Sequence, residues 1–449
     1  MDSVNQKYDL TRGGISDKLL LVAMPIIGTQ FMMMSYNLVD VFLLGRVGSE
    51  AVASSGIAGM YMWLFGGFLL VGRMGAEIGV SQNMGRKDPA SAVRFSWNSM
   101  FLSFVIGTVL LVLCAAFSSS LIGFFNIREE AVAEGAREYL IIVSAAIPFS
   151  FAGASAAGTF NGAGNSKVPF MINSACLVLN AALDIFFIFT LEMGVKGAAA
   201  ATAISQITAC MVSLAALKAR SDRPFSRFSF RGRPEPEVIL QILRWGIPIG
   251  TEGILFTFFT MFISRFAAAY GAGAIAVYRI GSQIESLCWL TGMGISTSVA
   301  AFVGQNYGAG LWERILGCCR IALKSFIPWG IFVTVLLNTA GRSIFGLFLP
   351  DGSLLDVGAS FLRIISCCQV TACLEAVASG TFRGLGRTIP PSGVSAVCNA
   401  LRVPLAYALS QTGLGLDGIW VGLTIGACVR GLWIFIWFLF EMRTRTRAA

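Results

Sequence analysis

Six acidic residues stand inside otherwise apolar stretches: Asp40, Glu77, Asp184, Glu252, Glu285 and Glu375. On insertion scales a charged side chain at the centre of a hydrocarbon layer costs about 3 kcal/mol, so each is a candidate for function. The chain has no histidine, so proton transfer in such a setting falls to carboxylates, with no imidazole to titrate near neutral pH. Asn180 and Asp184 are four residues apart, which puts amide and carboxylate on one face of a helix. Tyr36, Asn37 and Asp40 share a face by the same rule, at spacings of four and three. Two carboxylates, two amides and a phenol on two helices make one polar cluster. Such a cluster binds a proton or holds a hard cation such as sodium through oxygen ligands. The plainer alternative is that both aspartates only hydrogen-bond neighbouring helices. Glu252 and Glu375 are candidates to line a cavity and attract cations, or else to hydrogen-bond between helices in protonated form. Arg73 and Glu77, at i and i+4, are expected to pair with each other. Glu285, near Gln283, is open to either reading.

Other patterns exclude chemistry. The run Gly158-x3-Gly162-x-Gly164 follows no strand and lacks the Gly-Lys-Ser/Thr end of a phosphate loop. Small residues at that spacing more often let helices approach closely. There is no Gly-x-Ser-x-Gly elbow and no metal motif, so an intramembrane hydrolase is disfavoured. The 11 cysteines fall mostly in apolar runs without zinc or redox spacing and read as small hydrophobes. Met32, Met33, Met34 and most of the 35 phenylalanines are expected to face lipid or pack, while a few, Met33 among them, suit the adaptable wall of a pocket.

The elements that must position these groups are written twice. Gly158-Thr159-Phe160-Asn161-Gly162 returns as Gly380-Thr381-Phe382-Arg383-Gly384, Val80-Ser81-Gln82-Asn83 as Val303-Gly304-Gln305-Asn306, and Pro25-Ile26 as Pro248-Ile249. The offset stays between 221 and 223 along the chain, which is a duplication. With 55% hydrophobic and 13% charged residues, against about 25% charged in soluble domains, the chain reads as an all-α integral membrane protein. Twelve apolar runs predict twelve transmembrane helices, near 19–44, 52–81, 95–119, 138–159, 168–190, 196–217, 239–268, 274–303, 318–340, 359–382, 390–411 and 417–440. Pro25 predicts a kink in the first. Six spans per half is an even number, so the two six-helix lobes must point the same way, related by a pseudo-two-fold axis along the membrane normal. The lobes are placed at 1–217 and 239–449, with a basic linker at 218–238.

Twenty-one Lys and Arg fall on the side of both termini, six of them in the linker, against six on the other side (Arg46, Arg128, Arg137, Lys196, Arg265 and Arg342). The positive-inside rule therefore predicts cytoplasmic termini. Topology accounts for the net charge of +9, so no nucleic-acid partner is expected. The first eighteen residues are too polar and charged for a cleavable signal. The duplication is also uneven: Asp40 matches Phe262 or Ile263, Asp184 matches Ala406, and Asn180 matches Arg402. The acid cluster belongs to the N-terminal half alone, which suggests that this half senses an ion while the other mainly moves.

At this point the residues resemble a known family. PIIGTQFMMMSYNLVDVFLLGRVG, from Pro25 to Gly48, resembles the first span of multidrug and toxic compound extrusion (MATE) transporters, and Gly380 to Pro391 with Gln305-Asn306-Tyr307-Gly308 are similar to that family's C-half signatures. Within the family, Asp40 with Asn180, Asp184 and Thr202 resembles the DinF-type branch. That resemblance implies a cation-coupling cluster in the N-lobe, with bending of the first helix at Pro25. Thr202 enters on this ground alone. Sodium, if it is the coupling ion, would then be held by Asp40, Asn180, Asp184 and Thr202. Glu252 and Glu375 sit about one turn from the acids of the NorM-type branch. The implied activity is export of amphipathic, often cationic organic compounds in exchange for protons or sodium, with no cofactor. The expected setting is the inner (plasma) membrane, as a monomer within the bilayer. The runner-up is a flippase for lipid-linked oligosaccharides or lipids. It would need a strongly cationic cavity, and Arg73, Arg279, Arg402 and Arg430 look too dispersed in sequence to supply one.

Overall fold

The computed structural model describes residues 7–127, 129–219, 232–348 and 352–448. Arg128 and residues 220–231 of the linker thus lie outside the described residues, as does the side chain of Asn37. Long helices make up the fold. In the first half they are α1 (Ile15–Val47), α2 (Ser49–Gly85), α3 (Pro89–Gly123), α4 (Glu130–Ser144), α5 (Ile147–Gly162), α6 (Lys167–Ile185) and α7 (Gly194–Ala219). The second half repeats them as α8 (Pro236–Ala268), α9 (Ala272–Gly308), α10 (Trp312–Gly346), α11 (Gly352–Ser366), α12 (Gln369–Gly384), α13 (Ile389–Ser410) and α14 (Leu416–Ala448). The first five pairs match in length: 33, 37, 35, 15 and 16 residues.

Local chemistry sets the breaks between them. Asp88 caps α3, accepting from the Ser91 amide at 3.0 Å, with Pro89 at the first helical position, where its missing N–H costs nothing. The carboxyl of Asp88 is held below its usual range by the Ser91 side-chain and backbone hydrogen bonds. Gly164 and Gly386 turn the chain at φ +84° and +73°, a conformation that strains any residue with a Cβ. Two predicted spans, 138–159 and 359–382, are each two helices: α4 meets α5 at 49°, and α11 meets α12 at 44°.

Nine of the described helices are long and apolar enough to cross a membrane, or eleven spans if each bent pair counts as one. The helix that falls short is α13, whose 22 residues include Asn399, Arg402 and three prolines.

The glycine repeats are packing devices. A Cβ at Gly158 or Gly162 would stand 2.6 Å from the carbonyl oxygens of Arg73 and Glu77 on α2. At Gly380 and Gly384 it would stand 2.4 and 2.6 Å from those of Ser296 and Ala300 on α9, the matching positions. In lipid, where apolar burial gives helices little reason to associate, such close backbone approach supplies the van der Waals contact.

The Gln-Asn echo joins the two halves. Gln82 Nε2 donates to the Gly384 carbonyl at 2.9 Å, and Gln305 Nε2 donates to the Gly162 carbonyl at 2.9 Å. Gly85 lies against the backbone of Gln305, and Gly308 against the backbone of Gln82. Each contact is the image of the other under exchange of halves. All four groups lie at one end of the bundle, the end near the linker. There Leu10, Leu19, Val22 and Ile26, leading into and along α1, share a core with Val299, Phe302 and Phe382 of the second half. At the far end the cores separate. Leu44, Tyr139, Leu140 and Ile188 belong to a cluster drawn only from the first half, and Ile263, Phe361 and Trp420 to one drawn only from the second. The halves therefore grip each other at the linker end and part towards the other.

Candidate functional site

Asp40 lies seven residues before the end of α1, about 10 Å from its far terminus at 1.5 Å per residue. Helices α1 and α6 pack together, and this brings Asp184 opposite Asp40. The two carboxyl groups lie close enough to act on each other electrostatically. Asp184 and Asn180 are buried, at 0% and 1% exposure, on one face of α6. Immediately after Asp184 the helix widens into one π-turn, Phe186–Thr190, a feature common beside functional groups. From α7, buried Thr202 reaches the cluster, and Tyr36 Oη donates to its Oγ1 at 3.0 Å.

The cluster is left short of partners. Asp40 Oδ1, both carboxyl oxygens of Asp184 and Asn180 Nδ2 are buried with no hydrogen bond from a donor or to an acceptor in the fold. Among the described residues no arginine or lysine is among the charges that act on either aspartate. Two neighbouring carboxyl groups repel each other when both are ionised. A proton between them, or a sodium ion taking the orphaned oxygens with Thr202 and the Asn180 carbonyl, removes that repulsion. Among the described residues no group of three or more His, Cys, Asp or Glu is placed to bind a metal, so a hard monovalent ion suits the donor set better than a transition metal.

Sequence reasoning missed Tyr139. It is 7% exposed on α4, with its hydroxyl towards Thr202 and both aspartates within electrostatic reach. Met33, one turn before Tyr36, is exposed. Pro25 lies inside α1, which is helical from Ile15 to Val47, and the Thr29 hydroxyl donates to the Pro25 carbonyl at 2.9 Å.

The acids of the second half are differently served. Glu375 pairs with Arg430 at 2.9 Å, and Arg430 also donates to Asn399 Oδ1 at 3.2 Å. Glu252 accepts from the Ser392 hydroxyl at 2.8 Å. Arg402 and Arg430, far apart in sequence, both act on Glu285. Arg73 and Glu77 form no ion pair within 4 Å. Glu77, 2% exposed, instead lies within electrostatic reach of Arg73 and, from the other half, Arg383. Arg73 Nε and Arg383 Nε, both buried, have no acceptor.

A duplicated, multi-pass helical bundle of this kind has the architecture of a membrane transporter. The chain belongs to the MatE family, whose model matches it twice, at residues 25–186 and 248–408. It is 27% identical to the probable multidrug resistance protein NorM of Thermotoga maritima, over 95% of this chain and 92% of that one. With the probable multidrug resistance protein YoeA of Bacillus subtilis it shares 25% identity, over 95% and 94%. Its fold matches a MATE crystal structure in the bent conformation at TM-score 0.92, with 22% identity, covering 100% of this chain and 99% of that one.

Proposed function

We propose that the protein is a secondary antiporter that exports amphipathic, often cationic organic compounds in exchange for inward protons or sodium. It is a transporter and not an enzyme. One observation carries the coupling site: a buried carboxylate pair, Asp40 and Asp184, with orphaned oxygens and no counter-cation among the described residues. In this reading the bent pairs and α13 complete twelve spans in two six-span lobes, 1–217 and 239–449, joined by the 218–238 linker. The charge bias of the sequence supports placing the linker end and both termini in the cytoplasm of a bacterial cell, within the inner membrane. The separation of the far-end cores then makes this an outward-facing form, with the path between lobes of a single chain.

Ion and drug must favour different states, because only differential affinity shifts an equilibrium. Asp40 lies on α1, whose start packs on the second half and whose far end packs on α6. Binding of a proton or sodium at the pair changes the contacts between α1 and α6 and reshapes the first-half cavity, releasing the drug. The N-half acid cluster supports a DinF-like branch, while the Glu375–Arg430 pair leaves less acid free at the NorM-type position. A flippase would need a cationic chamber, whereas the second-half interior sets Glu252, Glu285 and Glu375 against Arg402 and Arg430.

The test is efflux of a fluorescent organic cation from proteoliposomes, under a pH gradient alone and a sodium gradient alone. Transport is expected under one of them, and Asp40→Asn is expected to abolish it while leaving the protein inserted and monodisperse. Retained coupled export in Asp40→Asn would remove the pair from the mechanism. Silence of the wild type under both gradients would bring the flippase forward.

A further inference from the structure

The second half carries a cation on its outer surface that the mechanism above does not use. Arg363 lies one turn before the end of α11, inside the apolar run predicted to span the membrane at 359–382. It is eleven residues from the start of that helix at Gly352, about 16 Å at 1.5 Å per residue. The residue is exposed, and its guanidinium has no hydrogen bond or ion pair to any described residue. An unpaired guanidinium beside lipid tails is costly, so a position of this kind calls for an anion.

Arg363 lines a cavity of about 420 Å³ between α10 and α11, together with Asn338, Thr339, Arg342, Asp356 and Ser360. The other polar side chains there have partners. Arg342 pairs with Asp356 at 3.2 Å, and Ser360 donates to Asp417 Oδ2 at 3.0 Å. Asn338 Nδ2 donates to Ser366 Oγ at 2.6 Å and to the Thr334 carbonyl at 2.8 Å, and Thr339 donates to the Val335 carbonyl at 2.8 Å. Two arginines against one aspartate leave the cavity with one positive charge in excess. Towards the linker end, the same face of α10 turns apolar. Ile331, Phe332 and Val335 precede Asn338 and Thr339 at spacings of three, four and seven, and each is more than half exposed. A cationic head above an exposed apolar stripe follows the polarity of a phospholipid lying alongside.

We propose that this groove binds the headgroup of an anionic phospholipid, with the lipid phosphate on Arg363 and the acyl chains along Val335, Phe332 and Ile331. The guanidinium fork matches two phosphate oxygens, and both hydrogen bonds are charge-assisted. Arg342 stands beside it as a second cation, shared with Asp356. The excess positive charge selects an anionic headgroup over a zwitterionic one, as basic pockets between transmembrane helices do. The site needs only the membrane-spanning fold. That the lipid comes from the outer leaflet rests on the orientation proposed above.

The test is native mass spectrometry of the purified full-length protein with added dioleoylphosphatidylglycerol or dioleoylphosphatidylethanolamine. The wild type should hold one phosphatidylglycerol about tenfold more tightly than phosphatidylethanolamine, the size of one hydrogen bond to a charged group. Arg363→Gln should erase that preference, and Arg363→Lys, which keeps the charge but not the fork, should keep part of it. Arg265→Gln, which removes an exposed arginine at the same end of the same half but outside the cavity, should leave it unchanged. Asp356→Asn frees Arg342 and should tighten phosphatidylglycerol binding severalfold, a gain that misfolding does not produce. Equal retention of the two lipids by the wild type, or an unchanged preference in Arg363→Gln, overturns the site. Displacement of the lipid by a tenfold excess of glycerophosphoglycerol, the same headgroup without chains, overturns it in favour of a soluble phosphodiester. A lipid-free dimer that Arg363→Gln dissociates overturns it in favour of a second copy of the chain.

Discussion

In the proposed mechanism Asp40 and Asp184 form a site that is complete only when something positive arrives, since both carboxyl oxygens of Asp184 and one of Asp40 are buried without a hydrogen bond. The other groups of the cluster tune that site without carrying charge. Two phenols flank the cluster: Tyr36 donates to the Thr202 hydroxyl at 3.0 Å, and Tyr139 is within electrostatic reach of Thr202 and both aspartates. Tyr139→Phe removes one of them and leaves the buried ring in place. A neutral hydrogen bond contributes about 1 kcal/mol net, roughly a fivefold effect. Ion-driven efflux in Tyr139→Phe should fall by about that factor, with little change in thermal stability; unchanged efflux would make the tyrosine a packing residue only. The aspartates were legible because an acid in an apolar run is costly and the i, i+4 rule supplies its neighbours. Tyr139 was not, since a phenol is at home in a membrane helix and its partner lies on another element. Arg402 and Arg430 were visible one by one. Only the packing of α14 against both α12 and α13 shows that they converge.

At the scale of elements, α1 bridges two environments. Leu19, Val22 and Ile26 sit in the core of the second half, while Leu44 belongs to that of the first. Pro25 lies beside Ile26, within the stretch of α1 that grips the second half. Proline cannot donate to the carbonyl one turn earlier, and its ring crowds that carbonyl, so it weakens the ladder at one point. The structure shows α1 continuous through this point, with the weakness in place. Pro25→Ala restores the missing bond and should raise the melting temperature of the purified protein. Drug affinity should hold while turnover in proteoliposomes drops severalfold, because α1 must flex between states. Turnover equal to wild type would show that the bend plays no part in the cycle. The bends between α4 and α5 and between α11 and α12 were hidden from the sequence for a physical reason. Hydropathy records how apolar a segment is and not its direction. Pro148 follows the first bend, but the matching Val370 follows the second, so no shared breaker marks them.

At the scale of the molecule, the duplication is what makes the linker end close. Gln82 and Gln305 each reach across to a carbonyl of the opposite half, and Gly85 and Gly308 let the backbones carrying those glutamines touch. A self-complementary contact of this kind needs both copies of the Gln-Asn-x-Gly motif, which is why the echo was legible in the sequence while its purpose was not. The contact must also break for the opposite state to form. At Gly85 an added Cβ would stand 1.9 Å from the Gln305 carbonyl oxygen, a backbone atom that no side-chain rotation can move aside. Gly85→Ala should therefore destabilise the closed linker end and shift the population towards the form open at that end. Ser81, 1% exposed and close to Gly304 across the contact, reports on it. Maleimide labelling of Ser81→Cys in membranes should be slow, and severalfold faster when Gly85→Ala is added. Gly123→Ala, where a Cβ meets nothing within 4 Å, is the control and should leave the rate unchanged. If Gly85→Ala labels no faster than this control, the glycine contact is not part of the closed end. If it labels faster while far-end positions become protected, the two ends open in alternation, as antiport requires.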